Sequence, residues 1–255
     1  MCHDTDAQPA VFGEPITSVR SHSLTLTSAG GTLVGAFIAR PHEPSGSCVV
    51  ILPDNRGLHR FYEQLAERLA EQGHAALAID YYARTAGTGP RDEEFPFRDH
   101  LAQVTREGID DDISAAVEYL RSADGDGACQ RLFAVGFCFG GRQAFLASRP
   151  RFALGGVIGF YGGPNVYPNG APGPIQMATE LAAPILGLFG GADQGIPAED
   201  VAAFDDALSG VGLAHELVTY PGAPHSFFDR KCEEFVDAAA DAWHRVLEFV
   251  GERPT

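Results

Sequence analysis

The chain has 255 residues, 45% hydrophobic and 20% charged, which provides apolar material for a large core and argues against disorder. Thirty-four acidic against 18 basic residues leave a formal net charge of −16. That balance argues against nucleic acid or anionic membrane surfaces as partners, although an anionic substrate needs only one or two well-placed arginines.

In chain order, residues 22–28 (HSLTLTS) and 32–39 (TLVGAFIA) flank the Gly-containing turn Ala29–Gly31 and predict an antiparallel hairpin. Residues 1–20 ahead of it read as a loosely ordered extension. SCVVILPD (47–54) predicts a buried strand, and Tyr62, Leu65, Ala66, Leu69 and Ala70 recur at helical spacing before a stop at Gly73. HAALAIDYY (74–82) is a second buried strand, followed by a loop rich in Gly, Pro and charge over 83–98. Ile109, Ile113, Ala116, Val117 and Leu120 mark another amphipathic helix, ending near the turn-like SADGDG.

RLFAVGF (131–137) predicts a strand running into Cys138, after which GGRQAFLAS continues as helix. Further strands are predicted at 153–163, 184–193 and 215–225, with helices over 197–209 and from Phe235 to Val250. Strands alternating with helices imply parallel βαβ units. The expected architecture is α/β: a mainly parallel sheet covered by helices on both faces, with an antiparallel hairpin at its start. Neither a composition break nor an internal repeat divides the chain, so one domain over 1–255 is expected.

The five cysteines (Cys2, Cys48, Cys129, Cys138, Cys232) include no CxxC and no zinc-finger spacing. With neither a signal-like start nor an apolar run of membrane-span length, the chain reads as a thiol-reduced cytoplasmic protein. Cys48 and Cys129 read as core packing or inert surface. Cys138 differs, because VGFCFGG (135–141) has the strand–Gly-x-nucleophile-x-Gly–helix form of a nucleophile elbow, with cysteine in the usual serine position.

In a sheet of this kind, ligands bind beyond the carboxyl ends of the strands. Three groups fall there: Cys138, Asp193 and His225, in the chain order of the α/β-hydrolases. His225 would take the thiol proton or stabilise the thiolate, and Asp193 would hold the imidazole tautomer. The backbone N–H of Phe139 and that of Asn55 are the candidate oxyanion donors. His59 is a rival base and Asp200 a reserve acid.

VGFCFGG, GGADQGIP, PGAPHSFFD and DYYAR (80–84) together resemble the dienelactone hydrolase (carboxymethylenebutenolidase) family, over about residues 47–250. The resemblance implies the α/β-hydrolase fold, a Cys–His–Asp triad, and hydrolysis of a lactone or ester through a thioester without metal or cofactor. It further implies that Arg84 helps bind a substrate carboxylate and that Asp54 helps generate the thiolate. Two positions depart from the family pattern. The Asp54 position usually holds glutamate, and Asp229 stands where a second carboxylate-binding arginine is usual, with Arg230 beside it.

The expected function is therefore hydrolysis of a small lactone or ester by a monomer. Two alternatives are acyl transfer by the same triad and a ligand-binding or redox-sensing role on a hydrolase scaffold.

Overall fold

Short apolar runs with β-branched residues become strands throughout the chain, and the amphipathic runs between them become helices. The computed structural model describes residues 7–10, 12–125, 129–167 and 170–251. Its eight strands form a mostly parallel sheet with an antiparallel start, accompanied by helices. The chain packs as two compact units that divide between Leu132 and Phe133. Among the described residues no helix is long and apolar enough to cross a membrane.

In the first unit, β1 (Val19–Thr27) and β2 (Leu33–Pro41) pair antiparallel from Val19↔Pro41 to Thr27↔Leu33. The predicted hairpin thus extends further in both strands. Residues 1–6 and 11 of the expected N-terminal extension lie outside the described residues. Before β1, the Ile16 amide donates to Glu71 O at 2.9 Å, and Gln72 Nε2 donates to Glu14 O at 3.2 Å.

Strand β3 (Ser47–Leu52) is buried along its whole length and pairs parallel with β4 (Ala75–Ile79), which also pairs antiparallel with β2. Helix α1 (Arg60–Glu71) buries Phe61, Tyr62, Leu65, Ala66, Leu69 and Ala70. Burying a leucine such as Leu65 or Leu69 contributes about 1.5–3 kcal/mol relative to exposure. The predicted loop over 83–98 contains a short helix, α2 (Ala83–Ala86), and the start of another, α3 (Phe97–Leu101). Helix α4 (Arg106–Arg121) begins where Thr105 Oγ1 accepts from the Gly108 amide at 3.1 Å.

In the second unit, which takes β5 (Arg131–Phe137) from Phe133 onward, that strand, β6 (Gly156–Phe160), β7 (Ile185–Gly190) and β8 (His215–Tyr220) lie in chain order, each parallel to the next. Their carboxyl ends therefore share one edge of the sheet. Helices α5 (Phe139–Ala147), α6 (Ala198–Gly210) and α7 (Val236–Gly251) complete the unit. In α7, Ala239, Ala242, Trp243, Val246 and Val250 are buried.

Candidate active site

The turn from β5 into α5 holds Cys138 at φ 54°, ψ −111°, a conformation that L-residues rarely take. Its amide donates to Phe160 O at 3.0 Å, and its carbonyl accepts from the Arg142 amide at 3.2 Å. The neighbouring glycines are steric requirements. A Cβ on Gly136 would stand 2.0 Å from Gly140 O, and one on Gly141 would stand 2.5 Å from Phe160 O. With those side chains missing, α5 can start against β5 and β6 and present the thiol at the turn. Phe139 is the first residue of α5, where amides lack helical i−4 partners and the helix dipole is positive.

Asp193 follows β7, and His225 follows β8 after the four residues 221–224. His225 Nδ1 lies 2.6 Å from Asp193 Oδ2, with the carboxylate side chain 2% exposed and the imidazole 30% exposed. The other oxygen, Oδ1, accepts from the Gly195 amide at 2.8 Å, which fixes the carboxylate plane. The two loops are stitched by backbone bonds from Ala192 N to Ala223 O (2.9 Å) and from Gly191 N to Tyr220 O (2.8 Å). Gly190 permits the first approach, since a Cβ there would meet Ala223 O at 2.4 Å. With Nδ1 bonded to the carboxylate, Nε2 is the nitrogen available for proton exchange. Asp200, the reserve acid, instead accepts from Asn165 Nδ2 at 2.8 Å in the first turn of α6. Asp193 is the partner of His225.

Sequence reasoning missed one member of this neighbourhood. Tyr161, at the carboxyl end of β6, holds φ 38° and packs its ring 4.8 Å from the His225 ring. Its hydroxyl donates to Asp229 Oδ2 at 2.8 Å. Asp229 also accepts from the Arg230 amide and lies 3.7 Å from Arg230 Nε, while Arg230 Nη2 donates to Ser226 Oγ at 2.7 Å. The carboxylate at the departing position is thus held by a phenol and a guanidinium. A tyrosine between a buried strand and Gly162–Gly163 was the available signal.

In the first unit, Asp54 and Asn55 follow β3, as expected. The Asp54 amide donates to Tyr62 Oη at 2.9 Å, Asp54 Oδ1 accepts from the Arg56 amide at 2.8 Å, and Tyr82 Oη donates to Asn55 O. His59 precedes α1 with Nε2 3.7 Å from Asp54 Oδ1, and among the described residues its ring nitrogens have no hydrogen-bond partner.

Arg84 has two protein partners. Its Nη1 donates to Asp112 Oδ2 at 2.6 Å and its Nη2 to Ser28 Oγ at 3.2 Å. Burial pushes the Asp112 carboxyl up, and the Arg84 bond counters it. The guanidinium is therefore engaged in bracing a buried acid on α4. The loop it begins is pinned by Arg91, which the sequence did not single out. Arg91 bonds both Asp80 oxygens and stacks over Phe95 at 4.6 Å. Among the described residues no group of three or more His, Cys, Asp or Glu side chains is placed to share a metal ion.

The model of the dienelactone hydrolase family matches residues 34–253, most of the chain. This chain belongs to the dienelactone hydrolase family. A protein of Salmonella typhimurium named "Putative carboxymethylenebutenolidase" is 29% identical over 251 residues, covering 96% of this chain and 92% of its own. Its namesake in Escherichia coli is 30% identical over 227 residues, covering 86% and 82%. Among solved structures, the "Putative Dienelactone Hydrolase" from Klebsiella pneumoniae superposes with a TM-score of 0.80 at 27% identity. It covers 92% of this chain and all of its own. A Pyrococcus furiosus esterase, 15% identical with a TM-score of 0.71 and coverage of 94% and 96%, shares the fold. The chain is accordingly an enzyme of the carboxylic ester and lactone hydrolase class on an α/β-hydrolase fold.

Proposed function

We propose that the protein hydrolyses a small ester or lactone with Cys138 as nucleophile, His225 as base and acid, and Asp193 as orienting carboxylate. The observation that carries the reading is the joint placement within the second unit. Cys138 holds a left-handed turn beyond β5, while the 2.6 Å Asp193–His225 bond stands beyond β7 and β8 on the same sheet edge.

In the proposed reaction Cys138 passes its proton to His225 Nε2, its thiolate attacks the carbonyl carbon, and the Phe139 amide meets the oxyanion. Collapse breaks the acyl C–O bond, and the leaving alkoxide or enolate takes a proton from His225 Nε2. Water then gives a proton back to Nε2 as it attacks the thioester, and the thiolate leaves. A thiol nucleophile suits good leaving groups such as enolates better than amides. We assign no carboxylate-binding role to Arg84, because Asp112 and Ser28 occupy its guanidinium.

The test measures hydrolysis of an anionic enol-lactone and a neutral activated ester by wild type and Cys138→Ala. The expected result is a loss of about 10³-fold or more in kcat for the variant with both substrates, at unchanged Tm. Undiminished turnover by folded Cys138→Ala overturns the reading.

A further inference from the structure

In the first unit, two cysteines that the catalytic reading leaves unused are brought together. Cys48 is the second residue of β3 and is 3% exposed; Cys129 is half-buried and lies just before β5. The backbone clamps the two segments. Gly46 O accepts from the Gln130 amide at 2.8 Å and the Arg131 amide at 3.1 Å, and Arg131 Nη2 donates to Ser47 Oγ at 2.7 Å. Cys129 Sγ turns back on Arg131 O at 3.4 Å. The result is a thiol–thiol hydrogen bond, with the Cys48 amide also directed at the Cys129 sulfur.

The two sulfurs are not equivalent. The Cys48 hydrogen bond, the positive charge of Arg121 and the Cys48 amide stabilise a thiolate on Cys129 and draw its ionisation below the usual thiol range, against the effect of burial. Cys48 is pushed up by its bond to Cys129 and by burial. A half-buried ionisable thiol beside a buried neutral one is the arrangement of an attacking and a resolving cysteine.

We propose that Cys48 and Cys129 form a thiol–disulfide exchange site that reacts with small disulfides, of which oxidised glutathione is the probe, to close an intramolecular disulfide. In the first step the Cys129 thiolate attacks one glutathione sulfur. A Cys129–glutathione bond forms, the glutathione S–S bond breaks, and one glutathione leaves as thiolate. In the second step Cys48 loses its proton and attacks Cys129 Sγ, forming the Cys48–Cys129 bond and releasing the second glutathione. The two cysteines are oxidised by two electrons and one oxidised glutathione is reduced to two thiols. The sulfurs must close from hydrogen-bond contact to about 2.05 Å. Cys129 lies outside helix and strand, so the adjustment does not break a ladder.

The experiment incubates the full chain with oxidised glutathione, blocks remaining thiols by alkylation, and maps linkages by mass spectrometry of a non-reduced digest. We expect a Cys48–Cys129 linked peptide pair, a rise in Tm reversed by dithiothreitol, and modification of Cys129 at least about tenfold faster than of buried Cys232. In Cys48→Ala, glutathione should remain attached to Cys129. The proposal is overturned if Cys129 stays unmodified in the folded wild type while Cys138 reacts. It is equally overturned if a Cys129–glutathione adduct persists in wild type without passing to Cys48, or if Cys129 links to another cysteine. The wild-type linkage map decides even if Cys48→Ala fails to fold. Hydrolytic activity is not a readout, so failure here leaves the function of Cys138 standing.

Discussion

At the scale of single residues, charge partners decide what a motif residue is available to do. Arg84 occupies a position that the family resemblance assigns to substrate, yet its guanidinium spans Asp112 and Ser28. Asp112 is 1% exposed, so removing its partner leaves a buried carboxylate uncompensated. Because the arginine side chain is 30% exposed and solvent screens the pair, a loss of about 2 kcal/mol is expected for Arg84→Ala, below the 3–5 kcal/mol of a fully buried pair. Urea denaturation measures that loss. Steady-state kinetics should show KM for anionic and neutral esters changing by the same factor. A KM rise confined to the anionic ester would return Arg84 to the substrate.

At the scale of elements, the β5–Cys138–α5 turn shows why glycine recurs around the nucleophile. The helix can approach β6 only because Gly141 offers no Cβ to Phe160 O. Gly141→Ala sets a methyl against backbone rather than against a side chain that could rotate away. Overpacking of this kind costs about 1–3 kcal/mol or more. We expect a Tm fall of roughly 2–4 °C per kcal/mol, together with a kcat loss, because α5 must shift and carry the Phe139 amide with it. Full activity and unchanged Tm would mean that α5 does not approach Phe160 O closely enough to exclude a methyl at position 141.

At the scale of the whole molecule, acid stability should depend on a histidine remote from the catalytic motif. His74 lies between α1 and β4, bonded to Ser45 Oγ at 2.9 Å. Burial, with the positive charge of Arg131, lowers its pKa from 6.5 to about 4. As pH falls from 6.5 towards 4, the unfolded chain binds a proton that the folded chain refuses. The stability this group contributes is fully present above the unfolded value and is lost as pH falls through that window. Between pH 7 and pH 5, wild type should lose about 2 kcal/mol more than His74→Gln. Urea midpoints at the two pH values supply the comparison, and parallel losses in both proteins would remove His74 as the cause.

What the sequence by itself determined is what local patterning and short motifs encode. Periodicity marked α1, α4 and α7, apolar runs marked β3 to β8, and the Gly–Cys–Gly spacing marked the elbow, because each is set by neighbours within a few residues. The chain order of Cys138, Asp193 and His225 placed them beyond parallel strands before any distance was known. Tertiary structure alone decided which partner each polar group takes. It put Asp112 on Arg84, Tyr161 on Asp229, and Cys129 on Cys48. None of these pairs is close in the chain. A buried charge or thiol must find compensation wherever the packed strands and helices bring it, and no spacing rule specifies that encounter.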